Sequence, residues 1–89
     1  MLEIEELEKV GKGMANRNRL KILLALNQEP GLCLVDLAEK TKISFRNASE
    51  HCRKLLAGGL ISKKYRGQAV EHRLTPRGKA VLGFYRMIK

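Results

Sequence analysis

Four side chains in this sequence could ligate a soft metal or serve a nucleophile–base pair: Cys33, His51, Cys52 and His72. A soft-metal site needs two or more thiolates or imidazoles converging at about 2.0–2.3 Å from the ion. The spacing works against that. Cys52 shares an i, i+4, i+7 stripe with Ala48 and Leu55, and there it reads as a small core hydrophobe. His72 alternates with Glu71 and Arg73 on the same side as Val70 and Leu74, the place of a hydrogen-bonded, half-buried imidazole. Ser49 and His51 point to different faces of one helical segment, and no acid is spaced to orient either histidine. Walker A, HExxH and CxxC patterns are absent. The expectation is a protein that is not an enzyme and carries no cofactor and no metal, with Cys33 the one remaining candidate ligand.

The other chemistry is cationic. The chain has 89 residues with 18 Lys+Arg against 9 Asp+Glu, a formal net charge of +9. Its hydrophobic share of 44% is that of a folded globule, and its length is that of one small domain, residues 1–89. The charge is unevenly placed. Residues 1–10 carry four Glu and one Lys, whereas residues 42–79 carry ten bases and two acids. Such an asymmetry favours a polyanionic partner over a mixed, solvated surface. No run approaches the roughly 18 apolar residues of a membrane span. The acidic start is unlike a signal or transit peptide. Two cysteines do not make a disulfide framework, so the expected location is a reducing cytoplasm.

These residues must be positioned by short elements. Leu2, Leu7 and Val10 lie in an acidic first helix, about 2–12, that weakens at Gly11–Gly13. Asn16 caps a second helix over 17–28, where Leu20, Ile22, Leu23, Leu24 and Leu26 form a wide apolar face before Pro30-Gly31. A short helix over 34–41 carries Leu34, Leu37 and Ala38. A tight turn then places Ile43 inward, Ser44 caps a helix over 45–57, and Gly58-Gly59 stop it. Two helices joined by such a turn form a helix-turn-helix, with 45–57 as its recognition helix. Two strands within about 60–74 form a hairpin around Gly67, and Thr75-Pro76 starts a last helix over 76–88. In that helix Ala80, Val81, Phe84, Tyr85 and Ile88 are taken as the apolar positions. The fold class is mainly α with a small β-hairpin, a winged helix-turn-helix.

In that architecture the N-terminal part of the recognition helix faces base edges. Arg46 suits a bidentate contact to guanine, Asn47 one to adenine, and Phe45 a thymine methyl. Ser44, Ser49, Glu50 and His51 belong to the same candidate surface. Glu50 either accepts from cytosine N4 or pairs with Lys54 at i+4, the pairing being preferred. Lys42, Arg53 and Lys54 are placed for phosphates. In the wing, Arg66 and Gln68 sit at the tip with Lys64 beside them, and Arg73 lies on the second strand. The expected partner is double-stranded DNA, with no membrane. The alternative is a winged helix that binds protein or RNA without reading an operator.

Three segments resemble the ArsR-type (arsenic-repressor-like) family of small dimeric bacterial and archaeal repressors. Met14-Ala15-Asn16-Arg17-Asn18-Arg19-Leu20-Lys21-Ile22-Leu23 is similar to that family's LGDPTRLRIL helix. Asp36-Leu37-Ala38, Ile43-Ser44 and Ala48-Ser49-Glu50-His51-Cys52 to Gly59-Leu60-Ile61 resemble its DLA…LS…VSHHLKVLREAGLV. Arg66-Gly67 through Arg73-Leu74-Thr75-Pro76-Arg77-Gly78 resembles REGRRVYYRLTPRG. The resemblance implies a DNA-binding repressor of the bacterial or archaeal cytoplasm, associated with the nucleoid. It implies backbone contact for His51 and minor-groove or backbone contact for the wing tip. It also implies a two-fold homodimer through the terminal helices. The apolar residues Leu2, Ile4, Leu7, Val81, Phe84, Tyr85 and Ile88 are the candidate interface, since they exceed what one small core covers. Cys33 matches the first cysteine of the family's metal box ELCVCDL, but Val35 replaces the second. A small-molecule or metal effector is therefore not expected from the sequence.

Overall fold

A computed structural model of the chain describes residues 3–8 and 16–87. Helix α1 (residues 4–8) is exposed throughout. The weak end expected at Gly11–Gly13 lies outside the described residues, as do Leu2, Val10 and Ile88. Helix α2 (Arg17–Gln28) begins where the sequence places it. The Asn16 carboxamide oxygen accepts from the backbone N–H of Asn18 (2.9 Å) and Arg19 (3.2 Å), satisfying two of the unpaired donors of the first turn. Its buried flank is Arg19, Ile22, Leu23 and Leu26. The apolar face is narrower than expected, because α2 is covered on one side only and Leu24 stays 46% exposed.

Helices α3 (Leu34–Thr41) and α4 (Phe45–Ala57) form the helix-turn-helix. The turn between them depends on Lys42 adopting the left-handed conformation, φ 58°. That bend lets the Ile43 N–H donate to Ala38 O (3.1 Å) and buries Ile43. Ser44 Oγ accepts from the Asn47 N–H (3.2 Å) and starts α4. Ala48, Cys52 and Leu55 then bury one face of α4, at the expected spacing.

Strands β1 (Ile61–Arg66) and β2 (Ala69–Leu74) pair antiparallel from Ile61–Leu74 to Arg66–Ala69. A two-residue turn joins them, with Gly67 at φ 62°, a conformation glycine adopts without penalty. One pairing was not visible in the sequence. Leu32 forms an isolated antiparallel bridge with His72, through Gly31 N–H to His72 O (2.8 Å) and His72 N–H to Leu32 O (3.0 Å). The hairpin is thereby tied to the segment between α2 and α3.

Helix α5 (Pro76–Met87) is capped by Thr75, whose hydroxyl oxygen accepts from the Gly78 N–H (3.0 Å). Its buried stripe is rotated from the expected one. Gly78, Val81 and Leu82 face inward with Tyr85 half-buried, while Ala80 and Phe84 face outward. Val81, taken from sequence as interface, is only 6% exposed and sits in the core. The reason is Gly78, which lets the helix approach Leu60 so closely that the residues following at i+3 and i+4 are drawn in. The core joins Ile22, Leu23 and Leu26 of α2, Leu37 of α3, Leu55 of α4, and Leu60 and Ile61 at the start of the hairpin.

Candidate nucleic-acid interface

The outward side of α4 is built by subtraction. With Ala48, Cys52 and Leu55 turned inward, Phe45, Arg46, Asn47, Ser49, Glu50, Arg53 and Lys54 are left exposed, as are Ser44 and Lys42 just before the helix. Phe45 is 56% exposed, an apolar ring held at the first turn with no core to enter. On the hairpin Lys64, Arg66, Gln68 and Arg73 are exposed as well. A cleft between α4 and the hairpin is lined by Ser49, Arg53, Lys63 and Val70, so helix and hairpin side chains face one space. Lys63 on β1 lies over the Tyr65 ring, 5.8 Å from its centroid.

Two expectations for α4 change. Glu50 pairs with Arg53 at i+3, not with Lys54 at i+4: both carboxylate oxygens accept from Arg53 Nε and Nη2. The pair lowers the Glu50 pKa and raises that of Arg53, chiefly through the hydrogen bond between them. His51 faces α2, not outward with its neighbours. Its Nδ1 accepts from Arg19 Nε (3.3 Å), and Arg19 is only 7% exposed. Burial, and then the nearby Arg19 charge, lower the His51 pKa. This side chain holds α4 in place from behind.

Sequence reasoning passed over a second set of positioning groups. Thr75 Oγ1 donates to Gly59 O (2.6 Å), and Arg77 Nη1 donates to Gly58 O (3.0 Å). Both acceptors lie just past the end of α4, so the start of α5 anchors the C-terminal end of the recognition helix. The clue was a base two residues after a capping threonine, which could equally have been a solvated charge.

On the wing, Glu71 stands beside Arg66 (3.4 Å) and Arg73 (3.9 Å). His72 is hydrogen-bonded as expected but fully rather than half-buried, and its Nδ1 lies 3.1 Å from Leu32 O. A carbonyl only accepts, so this contact places the proton on Nδ1. Burial raises the Cys52 thiol pKa to about 11. Cys33 Sγ donates to Asp36 Oδ2 (3.2 Å) at the start of α3. Among the described residues no group of three or more His, Cys, Asp or Glu is gathered as for a metal ion. No helix among them is long and apolar enough to cross a membrane.

A helix-turn-helix followed by a basic hairpin and a closing helix is the architecture of a winged DNA-binding domain. The family model for winged helix-turn-helix DNA-binding matches residues 16–62, and the chain belongs to this family. Solved structures agree with it over nearly the whole chain. One is the homodimeric winged helix-turn-helix DNA-binding domain of a possible ArsR-family transcriptional regulator from Mycobacterium bovis: 27% identity, 96% of this chain and 76% of that one, TM-score 0.78. NolR from Sinorhizobium fredii is 29% identical over 99% of this chain and 94% of its own, TM-score 0.77. HlyU from Vibrio cholerae is 26% identical over 97% of each chain, TM-score 0.76.

Proposed function

We propose that the chain is a homodimeric, sequence-specific double-stranded DNA-binding transcriptional regulator of the ArsR type, a repressor that acts in the cytoplasm by occluding promoters. The observation that carries this reading is the outward stripe of α4 beside an exposed basic hairpin. Arg46 and Asn47 at its first turn have the donors and acceptors that base edges require. Lys42, Arg53, Lys54, Lys64, Arg66 and Arg73 supply charge for phosphates on both sides of it. The dimer is supported by apolar surface at both ends of the chain: Ile4 is 80% exposed, and Leu7, Phe84 and Met87 are exposed too. A two-fold dimer would set two recognition helices one DNA turn apart, roughly 34 Å, on a pseudo-palindrome. The ArsR-type assignment rests on the sequence segments quoted above and on the M. bovis domain.

The test is a titration of duplex DNA at several salt concentrations. The logarithm of the binding constant should fall with the logarithm of salt by about 0.9 for each phosphate neutralised. A flat response, or no binding, refutes the reading.

A further inference from the structure

The basic segment 42–79 contains only two acids, Glu50 and Glu71, and each is paired with arginine. Glu50 holds Arg53 on α4. Glu71 meets Arg66 and Arg73, and Lys64 is its cross-strand partner. Three guanidinium groups on the proposed DNA face therefore already have a counterion within the chain. A phosphate that approaches any of them shares its charge with a carboxylate already in place, or displaces it. Glu50 also follows Arg46 by one helical turn, so both enter the major groove together. A carboxylate carried there without a donor would be desolvated and repelled by phosphate. The one base-edge group that answers it is the amino group of cytosine.

We infer that Glu50 and Glu71 are internal counterions that weaken binding to any duplex, and that Glu50 is also a specificity-determining residue. Glu50 recovers the loss only where it can accept from cytosine N4 and leave Arg53 to a phosphate. This rests on the reading of the chain as a DNA-binding regulator.

The experiment compares the full chain with Glu50→Gln, Glu71→Gln and Glu5→Gln. Each is titrated at several salt concentrations with an unselected duplex and is used to select sites from a random duplex library. Glu5 lies on α1 and is exposed, so Glu5→Gln controls for charge alone. Glu50→Gln and Glu71→Gln should bind the unselected duplex about two- to fivefold more tightly, the range of an exposed ion pair. Their salt slopes should steepen by about 0.9 for each arginine released. Glu5→Gln should change neither quantity. Wild type should enrich a cytosine in each half-site, and Glu50→Gln should move that position toward adenine, which a Gln amide pairs with. Equal affinities and slopes in all four proteins overturn the inference. So does an equal gain in Glu5→Gln, or weaker binding by the Glu50 and Glu71 variants. Wild type that shows no salt-dependent binding overturns the DNA-binding reading along with it.

Discussion

Arg19 Nε donates to His51 Nδ1 across 3.3 Å, joining a buried guanidinium on α2 to the middle of α4. With Arg77 and Thr75 on the carbonyls of Gly58 and Gly59, this places a hydrogen bond at the centre and two more at the end of the recognition helix. The outward stripe is thus presented by a helix held at its middle by α2 and just past its C-terminal end by Thr75 and Arg77.

The Arg19–His51 contact makes stability depend on acid. Burial and the Arg19 charge hold the His51 pKa below its ordinary value, so the folded state keeps it neutral. The unfolded chain takes up a proton near pH 6.5. This contribution is fully present above that value and is lost as pH falls toward the lower folded pKa. Melting curves between about pH 8 and pH 5 should show a falling Tm, and His51→Gln should flatten the part due to this residue. An unchanged pH dependence in the variant would contradict the assignment.

At Gly78, α5 packs against the Leu60 backbone with no room for a side chain. A Cβ built there would lie inside the contact distance of the Leu60 carbonyl oxygen, with the Leu74 side chain at 3.2 Å. Gly78→Ala should cost about 1–3 kcal/mol by overpacking, or roughly 5–15 °C in Tm for a domain of this size. Gly83→Ala on the same helix meets nothing within 4 Å and should not lower the Tm. Similar losses in both would remove the steric explanation.

The helix boundaries were legible because local chemistry sets them. Asn16 and Ser44 cap α2 and α4 through their own side chains, and Gly58-Gly59 end α4. The α4 stripe was legible for the same reason, since Ala48, Cys52 and Leu55 need only helical periodicity. The features that were not legible depend on distant neighbours. The Leu32–His72 bridge joins residues 40 apart with one pair of bonds and no alternating pattern around Leu32. Arg19 and His51 are 32 apart, and nothing local marks either as buried. Val81 was misassigned because the approach of Gly78 to Leu60, not helical periodicity alone, decides which face of α5 goes inward. The Glu50 partner turned on a choice between two bases one residue apart, which side-chain geometry settles.

The two thiols should differ in reactivity. Cys52 is buried and stays protonated until a pH near 11, whereas Cys33 is half-exposed at the start of α3. Iodoacetamide at neutral pH should label Cys33 in the folded protein and reach Cys52 only on unfolding. Equal labelling of both, read by mass spectrometry of peptides, would show that the α4 face is not closed.

The proposed dimer predicts that the chain sediments as two copies at micromolar concentration. Phe84 is half-exposed on the outward side of α5, so Phe84→Glu should yield a monomer without disturbing the core residues inside it. A wild-type monomer at that concentration would contradict the dimer.

The most direct test of the central claim is selection of binding sites from a random duplex library by wild type, Arg46→Ala and Arg66→Ala. Wild type should enrich a pseudo-palindrome with half-sites about one helical turn apart. Arg46→Ala should relax the preference at one base pair in each half-site by about 1–3 kcal/mol, whereas Arg66→Ala should weaken binding to all sequences alike. No enriched sequence with wild type, or the same enriched site and affinity in all three proteins, would contradict the account.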